Sequence, residues 1–212
     1  MGLQFAYWAP NVSGGLVISN LPQKTGWSFE DNKRYAQIAE ENGFDYVLLQ
    51  TRFFASYGAE KQLEAAALAS ALAASTKKLN IITAVLPGLW HPGVIAKIIS
   101  TIDHISNGRA SINIVSGWFK NEFIGYGEPW LDHDERYRRS EEFIQVLRDL
   151  WTKETTTFKG DFYRINEAPL KPKPITIPKI FQGGNSKAAR EMAGRVSDVD
   201  ESFADKESAW RV

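Results

Sequence analysis

Short apolar runs alternate along the chain with longer segments in which apolar residues recur every three to four positions. This alternation predicts βα units built on a parallel sheet. The run from Ile81 to Leu86 is apolar except at Thr83, as expected for a strand that is covered on both faces. We predict strands at residues 3–9, 44–50, 79–86, 109–115 and 179–182. Five such units are too few to close an eight-unit barrel, so the pattern predicts either an open, doubly wound sheet or a barrel fragment.

Helices are predicted between these strands from their periodicity and their end signals. Ser28 is a good N-cap for a first helix, and Gly43 can adopt the left-handed conformation that ends it. Pro92 suits the first turn of a long helix that runs to Ser106 with isoleucines along one stripe. We also predict helices at residues 134–151 and 187–196, the first with one apolar face and one charged, solvent-exposed face.

The segment before the last strand contains two β-rich runs separated by Lys159-Gly160-Asp161. This pattern predicts a hairpin insertion at about residues 155–165. Prolines at positions 169, 172, 174 and 178 then predict an extended connector rather than a domain linker, because the last strand follows at once.

Composition excludes several functional classes. The 212 residues carry 25 Lys and Arg against 25 Asp and Glu, so no strong field attracts nucleic acid or acidic lipid. Cysteine is absent, which excludes disulfides and cysteine catalysis, and His91, His104 and His133 lack the spacing of a metal site. Because the N-terminus lacks a signal-peptide pattern and no apolar run is long enough to span a membrane, we expect a soluble cytoplasmic protein.

Polar residues at the ends of parallel strands are the first candidates for a binding site, because ligands bind at that edge of the sheet. Asn113 lies between Ile112 and Ile114 in the fourth strand, and a buried carboxamide needs hydrogen-bond partners. Either a ligand faces this side chain or neighbouring backbone groups satisfy it, and the sequence leaves both interpretations open.

The fifth strand is followed by Gly183-Gly184-Asn185-Ser186 and then directly by a helix. Backbone amides, the positive end of the helix dipole and the Ser186 hydroxyl together predict an anion seat suited to a phosphate. The alternative is an ordinary turn in which Asn185 or Ser186 caps the helix. Neither GxGxxG nor GxxxxGK[ST] occurs, so the sequence does not indicate a dinucleotide fingerprint or a P-loop.

A dense group of donors begins the helix predicted at residues 134–151. His133-Asp134-Glu135-Arg136-Tyr137 joins an imidazole, a guanidinium and a phenol within about one turn. No Ser-His-Asp order with a nucleophile elbow accompanies it, so acyl transfer has little support.

A set of segments in a fixed order carries a family resemblance: Phe5-Ala6-Tyr7-Trp8, residues 65–74 ahead of Lys78-Leu79, residues 101–109, residues 113–118, residues 133–137 and residues 182–186. Together they resemble the bacterial-luciferase-like, flavin-dependent monooxygenases. Within that superfamily the sequence is most similar to the two-component dimethylsulfone monooxygenases, to which residues 9–20 point, and next to the alkanesulfonate monooxygenases. The resemblance spans about residues 3–198.

The resemblance implies an α/β fold of the TIM-barrel type and a chemistry supplied by a cofactor. The implied cofactor is reduced FMN (FMNH2), which a separate NAD(P)H-dependent flavin reductase provides. Dioxygen would add at the flavin C4a position, and the peroxyflavin would oxygenate a small organosulfur compound. For dimethylsulfone this reaction would break a carbon–sulfur bond.

By the same resemblance, several residues are expected to bind the cofactor, while the catalytic residues stay unknown. The expected contacts are Asn113 and Glu122 at the flavin, Gln50 at the isoalloxazine ring or the substrate, Arg136 and Tyr137 at the ribityl–phosphate end, and Gly184 and Ser186 at the phosphate.

The sequence after Asp198 departs from the family pattern. Residues 199–212 show no strand pattern and are expected to be a non-family tail that follows a luciferase-like domain of residues 1–198. About five of the eight βα units are then present, so we expect an incomplete barrel.

Two alternatives to a sulfone monooxygenase stay open. One is a reductase of the same superfamily that uses the deazaflavin F420, which binding of FMN or F420 would distinguish. The other is a truncated, non-catalytic remnant that binds flavin weakly or serves in an assembly, which oxygen-dependent turnover would decide. The resemblance also implies a homo-oligomer.

Overall fold

The computed structural model of the chain describes residues 3–14, 21, 24–55, 59–184 and 186–201. Within these ranges no helix is both long and apolar enough to cross a membrane. In chain order the elements are β1 (Ala6–Trp8), α1 (Phe29–Glu41), β2 (Tyr46–Leu49), α2 (Ala65–Ser75), β3 (Asn80–Val85), α3 (Pro92–Ser106), β4 (Ala110–Ile114), α4 (Lys120–Gly125), α5 (His133–Thr152), β5 (Thr156–Lys159), β6 (Arg164–Ala168), β7 (Lys179–Gly183), α6 (Lys187–Val196) and β8 (Val199–Glu201).

The main sheet has six strands in the order β1-β2-β3-β4-β7-β8, and every neighbouring pair is parallel. The predicted strands are confirmed to within three residues at each end, and they pair in chain order, as consecutive βα units do. The predicted hairpin is confirmed as the antiparallel pair β5–β6, which lies outside the main sheet.

Each face of the sheet carries its own apolar cluster, because side chains alternate along a strand. One face packs against the helices with fully buried side chains that include Val47, Ile81, Ile112 and Ile180. The opposite face, called the inner face below, carries a smaller buried cluster of Tyr46, Leu48, Ile82 and Phe181.

Local end signals determine the bounds of α1 and α3. Ser28 Oγ accepts a hydrogen bond from the Asp31 amide at 3.1 Å at the start of α1. At the start of α3, His91 Nδ1 accepts one from the Gly93 amide at 3.1 Å, and Asn107 ends the helix with a left-handed φ of 57°. Both helices match the predicted bounds because the residues that cap them are adjacent in sequence to the helix ends.

The proline-rich connector after β6 is held along α3. Asp103 is fully buried, and its Oδ2 accepts hydrogen bonds from the amides of Ile175 and Thr176 at 2.6 and 3.0 Å. Ser100 Oγ donates to the Pro172 carbonyl at 2.7 Å. These contacts bring the chain back to the start of β7, beside β4.

The polar face of α5 differs from the prediction. Arg138 is exposed and pairs with Glu135 and Asp161, as expected for a solvated face. Arg136 and Arg139, however, are only 9% and 4% exposed. The helical period predicted the apolar residues of α5, but it could not show that loops from other parts of the chain cover these two guanidinium groups.

The expectation that no strand follows Asp198 is wrong, since β8 pairs with the outer edge of β7. The Asp198 amide donates to the Ile180 carbonyl, and Asp198 Oδ2 accepts from the Ile180 amide, both at 2.9 Å. Arg148 Nη2 donates to Asp198 Oδ1 at 3.0 Å. Tertiary contacts of Asp198, rather than an apolar pattern, therefore align this three-residue strand. Residues 202–212 of the predicted tail lie outside the described residues.

Candidate functional site

The candidate residues meet at the carboxyl edge of the parallel sheet. Gln50 directly follows β2, Asn113 is the next-to-last residue of β4, and Gly184 directly follows β7. Parallel strands that share an edge bring such residues together, whatever their separation in sequence. α4 and the first turns of α5 follow β4 at the same edge and contribute Glu122, Arg136 and Tyr137.

Ser186 is the N-cap of α6 in an extended conformation (φ −69°, ψ 159°). Its Oγ accepts a hydrogen bond from the Ala189 amide at 3.1 Å, which leaves the hydroxyl hydrogen to donate elsewhere. Lys187 and Ala188 open the helix, where amide groups have no intrahelical acceptor. The capping alternative and the anion seat are therefore compatible, because one hydroxyl can accept from the helix and donate to an anion.

Because Gly184 has no side chain, the Tyr137 hydroxyl of α5 can lie against this turn. The φ of Gly184 is +140°, and a Cβ there would lie 2.8 Å from Ala189 Cβ and 3.1 Å from the Tyr137 hydroxyl oxygen. Only glycine allows so close an approach. The structure thus brings together Gly184, Tyr137 and the start of α6, three parts of the predicted phosphate end. Asn185 lies outside the described residues.

Gln182 is a buried polar residue of this turn that the sequence analysis missed. It is fully buried, and its Nε2 donates to the Gly183 carbonyl at 2.6 Å. Its Oε1 is buried with no hydrogen-bond partner among the described residues. A glutamine in an apolar strand directly before two glycines was the available signal, since a buried carboxamide is costly unless it orients something.

Asn113 lies on the inner face of the sheet. It is 6% exposed and lies in register with Ala84 of β3 and Phe181 of β7. Phe181 belongs to the inner cluster, so the carboxamide projects to the side that the helices do not cover. Ser111, two residues earlier, shares this face nearer the start of β4.

Gln50 anchors the segment that follows β1. Its carbonyl accepts a hydrogen bond from Asn11 Nδ2 at 3.0 Å, and the same Nδ2 donates to the Leu63 carbonyl at 2.9 Å. Asn11 is fully buried and so joins the loops that follow β1 and β2. The Gln50 side chain itself is half-buried at the carboxyl edge.

Glu122 is 2% exposed, and its Oε2 accepts a hydrogen bond from the Phe53 amide at 3.0 Å. Burial raises the pKa of this carboxyl, while the Phe53 and Phe54 amides and the Arg52 charge act in the opposite direction and only partly offset it. Its contacts are therefore with the backbone of the loop after β2. A contact with flavin stays a prediction.

Arg136 holds both ends of the loop between β4 and α5. Its Nε donates to the Gly117 carbonyl at 3.1 Å and its Nη1 to the Leu131 carbonyl at 2.7 Å, with the guanidinium 4.2 Å from the Trp130 ring centre. Arg136 and Tyr137, neighbours in the predicted donor group, therefore contact different parts of the structure, because the Tyr137 hydroxyl lies against Gly184. A role of Arg136 at the ribityl–phosphate end stays a prediction.

Arg139 is a second buried cation that the sequence analysis did not identify as part of the site. Its nearest carboxylate is that of Glu128, at 3.8 Å, and the guanidinium lies 5.5 Å from the Phe123 ring centre. Burial lowers its pKa, although guanidinium remains charged at physiological pH. The first half of α5 therefore carries two buried guanidinium groups, Arg136 and Arg139.

Comparisons with known proteins match this architecture. The family model described as luciferase-like monooxygenase matches residues 3–207. The chain is 57% identical over 198 residues to an FMNH2-dependent dimethylsulfone monooxygenase of Pseudomonas putida, covering 92% of this chain and 54% of that protein. The chain thus spans about half the length of the curated relatives it matches.

Solved structures support the fold. EDTA monooxygenase from Chelativorans sp. BNC1 superposes with a TM-score of 0.83 at 21% identity, covering 95% of this chain and 56% of that one. An F420-dependent secondary alcohol dehydrogenase superposes with a TM-score of 0.81 at 26% identity, covering 95% and 58%. The described strands therefore form an open part of a TIM barrel.

Proposed function

The chain belongs to the luciferase-like monooxygenase family, and from this premise we propose that it serves an FMNH2- and O2-dependent monooxygenase acting on a small organosulfur compound, specifically dimethylsulfone. The named activity of the 57% identical relative supports the reaction and the substrate.

The observation that carries the proposal is the turn between β7 and α6. An anion placed there meets the Ser186 hydroxyl, the open amides of α6 and the Tyr137 hydroxyl that lies against Gly184. These donors fit the phosphate of FMN. Gln50 and Asn113 lie along the same edge, and we assign them to the flavin ring, with Glu122 and Arg136 as the remaining predicted contacts.

Reduced FMN, when bound, would supply the electrons that activate dioxygen, so the work of the protein is to bind, orient and exclude water. The apolar residues of the inner face lie beside Asn113 and would form the base of the flavin site. The loops after β2 and β4 would enclose its sides. We further propose a separate NAD(P)H-dependent flavin reductase as partner, a homo-oligomeric state and a cytoplasmic location, as the family resemblance implies.

The phosphate seat can be tested with Ser186→Asp and Ser186→Ala. Aspartate preserves the N-cap of α6 but places a negative charge against the phosphate, so FMN binding is lost while the helix remains intact. Alanine removes one hydrogen bond to a charged group and weakens FMN binding by about 10- to 100-fold. Riboflavin, which lacks the phosphate, binds all variants alike, and Ser70→Ala on α2 serves as the control.

Equal effects of these substitutions on FMN and riboflavin would contradict the seat. Fluorescence quenching of each flavin by the purified chain gives both affinities in one titration series. A loss of riboflavin binding in Ser186→Ala but not in Ser186→Asp would instead indicate that removal of the N-cap disrupts α6.

The similarity to an F420-dependent dehydrogenase favours one other candidate, an F420-dependent reductase. F420 also carries a phosphate and would use the same turn. The two candidates differ in cofactor preference and in the use of dioxygen. A chain that binds F420 and consumes no oxygen supports the reductase, and one that binds flavin without turnover supports the non-catalytic alternative.

A further inference from the structure

An aromatic wall stands at the carboxyl edge next to the proposed flavin site. We define it as Phe53 and Phe54 of the loop after β2, with Tyr126 directly after α4. The Tyr126 ring centre lies 5.5 Å from that of Phe53 and 5.3 Å from that of Phe54. The Phe53 ring centre also lies 6.2 Å from that of Trp90 in the loop after β3.

Glu122 holds this aromatic wall through the backbone of the loop after β2. Its carboxylate accepts the Phe53 amide at 3.0 Å and also interacts with the Phe54 amide. A Cβ on Gly125 would lie 2.4 Å from Phe54 Cζ, so the ring rests directly on the backbone of α4. The loop after β2 therefore meets α4 through a buried carboxylate on one side and a ring against a glycine on the other.

We propose that Glu122 is a positioning residue: by holding the Phe53 and Phe54 backbone it places the aromatic wall where the methyl groups of a small, uncharged substrate bind. This inference rests on the proposed function and specifies its substrate side. Aromatic rings offer large apolar contact at low conformational cost, which suits a molecule whose only apolar parts are methyl groups.

This role adds to the flavin contact predicted for Glu122. The carboxylate is 2% exposed and engaged with backbone amides, so a substrate at the edge contacts the rings rather than the carboxylate. Glu122 therefore acts on the substrate through the loop.

The test uses dimethylsulfone as the probe and the intact chain with FMN bound. Saturation-transfer difference NMR, with saturation of the aromatic protons, reports whether the single methyl resonance of dimethylsulfone lies near aromatic rings. The variants are Glu122→Gln, Glu122→Ala and Tyr126→Leu, and the control is Glu154→Gln at an exposed carboxylate. Hydrogen exchange of the Phe53 amide is followed in the same samples.

We expect a transfer signal in the wild-type chain that falls in all three variants and not in the control. Protection of the Phe53 amide falls about tenfold or more in Glu122→Gln, and further in Glu122→Ala, because a charged acceptor is lost. It stays unchanged in Tyr126→Leu, which removes a ring but leaves the carboxylate in place. FMN affinity is unchanged in Tyr126→Leu and in the control. Should Glu122→Ala fail to fold, Glu122→Gln and the exposed Tyr126→Leu carry the test.

Two results would overturn the inference. One is a tenfold or greater loss of FMN affinity in Glu122→Gln with an unchanged transfer signal, since Glu122 would then bind the cofactor without positioning the aromatic wall. The other is the absence of a transfer signal in a wild-type chain that binds FMN. A transfer signal in a chain that binds no FMN would contradict the proposed function and leave the aromatic wall supported.

Discussion

Asn113 is the residue at which a structural role and a functional role can be separated by substitution. It lies on the inner face near the end of β4, beside Phe181 and opposite the helices. A carboxamide that served only the backbone network would contribute to stability, and one that faces the flavin ring would contribute to binding.

We predict that Asn113→Ala lowers flavin affinity about tenfold, the usual effect of one lost hydrogen bond, with a small change in melting temperature. Ser111→Ala, two residues earlier on the same face, is the matched control. A large fall in melting temperature with intact flavin binding would assign Asn113 to the fold.

The ionisation of Glu40 makes the free energy of unfolding depend on pH. Burial alone would raise its pKa, but the amides of Lys77, Lys78 and Leu79, which all donate to its Oε1, outweigh that effect with help from the Arg109 charge, and the pKa is lowered. A lowered folded-state pKa means that the ionised group stabilises the fold above its unfolded pKa, near ~4.3. That contribution is lost as the pH falls through the folded-state value.

Glu40→Gln is therefore predicted to cost about 1 kcal/mol at pH 7, a modest figure because the carboxylate is partly solvated. The difference from the wild type shrinks as the pH falls below about 4.3. Urea unfolding at neutral and acidic pH measures both. A difference that does not change with pH would show that the charge plays no part.

Single residues also show which features sequence reasoning can predict. The turn at Gly184 and the N-cap at Ser186 could be predicted because a glycine pair and a hydroxyl before a helix specify them locally. Glu122 was identified through resemblance, but its engagement with the Phe53 amide could not be predicted. The buried environment of Gln182 and Arg139 was missed for the same reason: it depends on chain segments distant in sequence.

Helices and strands also differ in whether local sequence signals or contacts with distant residues determine their bounds. α1 and α3 begin and end at caps contained in their own sequence, so their bounds could be predicted. α4 has no side-chain cap hydrogen bond at its first turn, and β8 has three residues. Both depend on contacts with residues distant in sequence, α4 through Glu122 and β8 through Asp198.

The connector between β6 and β7 depends on one carboxylate of α3. Asp103 Oδ2 accepts the amides of Ile175 and Thr176, and Oδ1 accepts the Ala110 amide at 3.3 Å. Asp103→Ala is predicted to reduce the free energy of unfolding by about 2–4 kcal/mol, because buried amides lose a charged acceptor. Asp134→Asn, at an exposed position of α5, is the control for urea unfolding. A loss below about 0.5 kcal/mol would show that the connector holds itself in place.

The whole molecule presents open sheet edges within the part of the chain that the structure describes. β1 and β8 are the terminal strands of the order, and each pairs on one side. Leu3 and Phe5, just before β1, are 82% and 57% exposed. Unpaired edges with apolar side chains promote association, and a net charge of zero gives little repulsion against it.

The 212-residue chain is accordingly predicted to self-associate with rising concentration. Phe5→Lys places a charge at the β1 edge and shifts the chain toward monomer in sedimentation velocity. Val94→Lys, an equally exposed apolar position on α3, leaves the association unchanged. A monomeric wild-type chain at all concentrations would contradict this.

The central claim is that the carboxyl edge of this sheet binds reduced FMN by its phosphate. An anaerobic titration of the wild-type chain with reduced FMN, reduced riboflavin and reduced F420 tests it most directly. The account predicts saturable one-to-one binding of reduced FMN, at least about tenfold tighter than that of riboflavin, since two or more charged hydrogen bonds depend on the phosphate. Equal affinity for FMN and riboflavin, or a preference for F420, would contradict it.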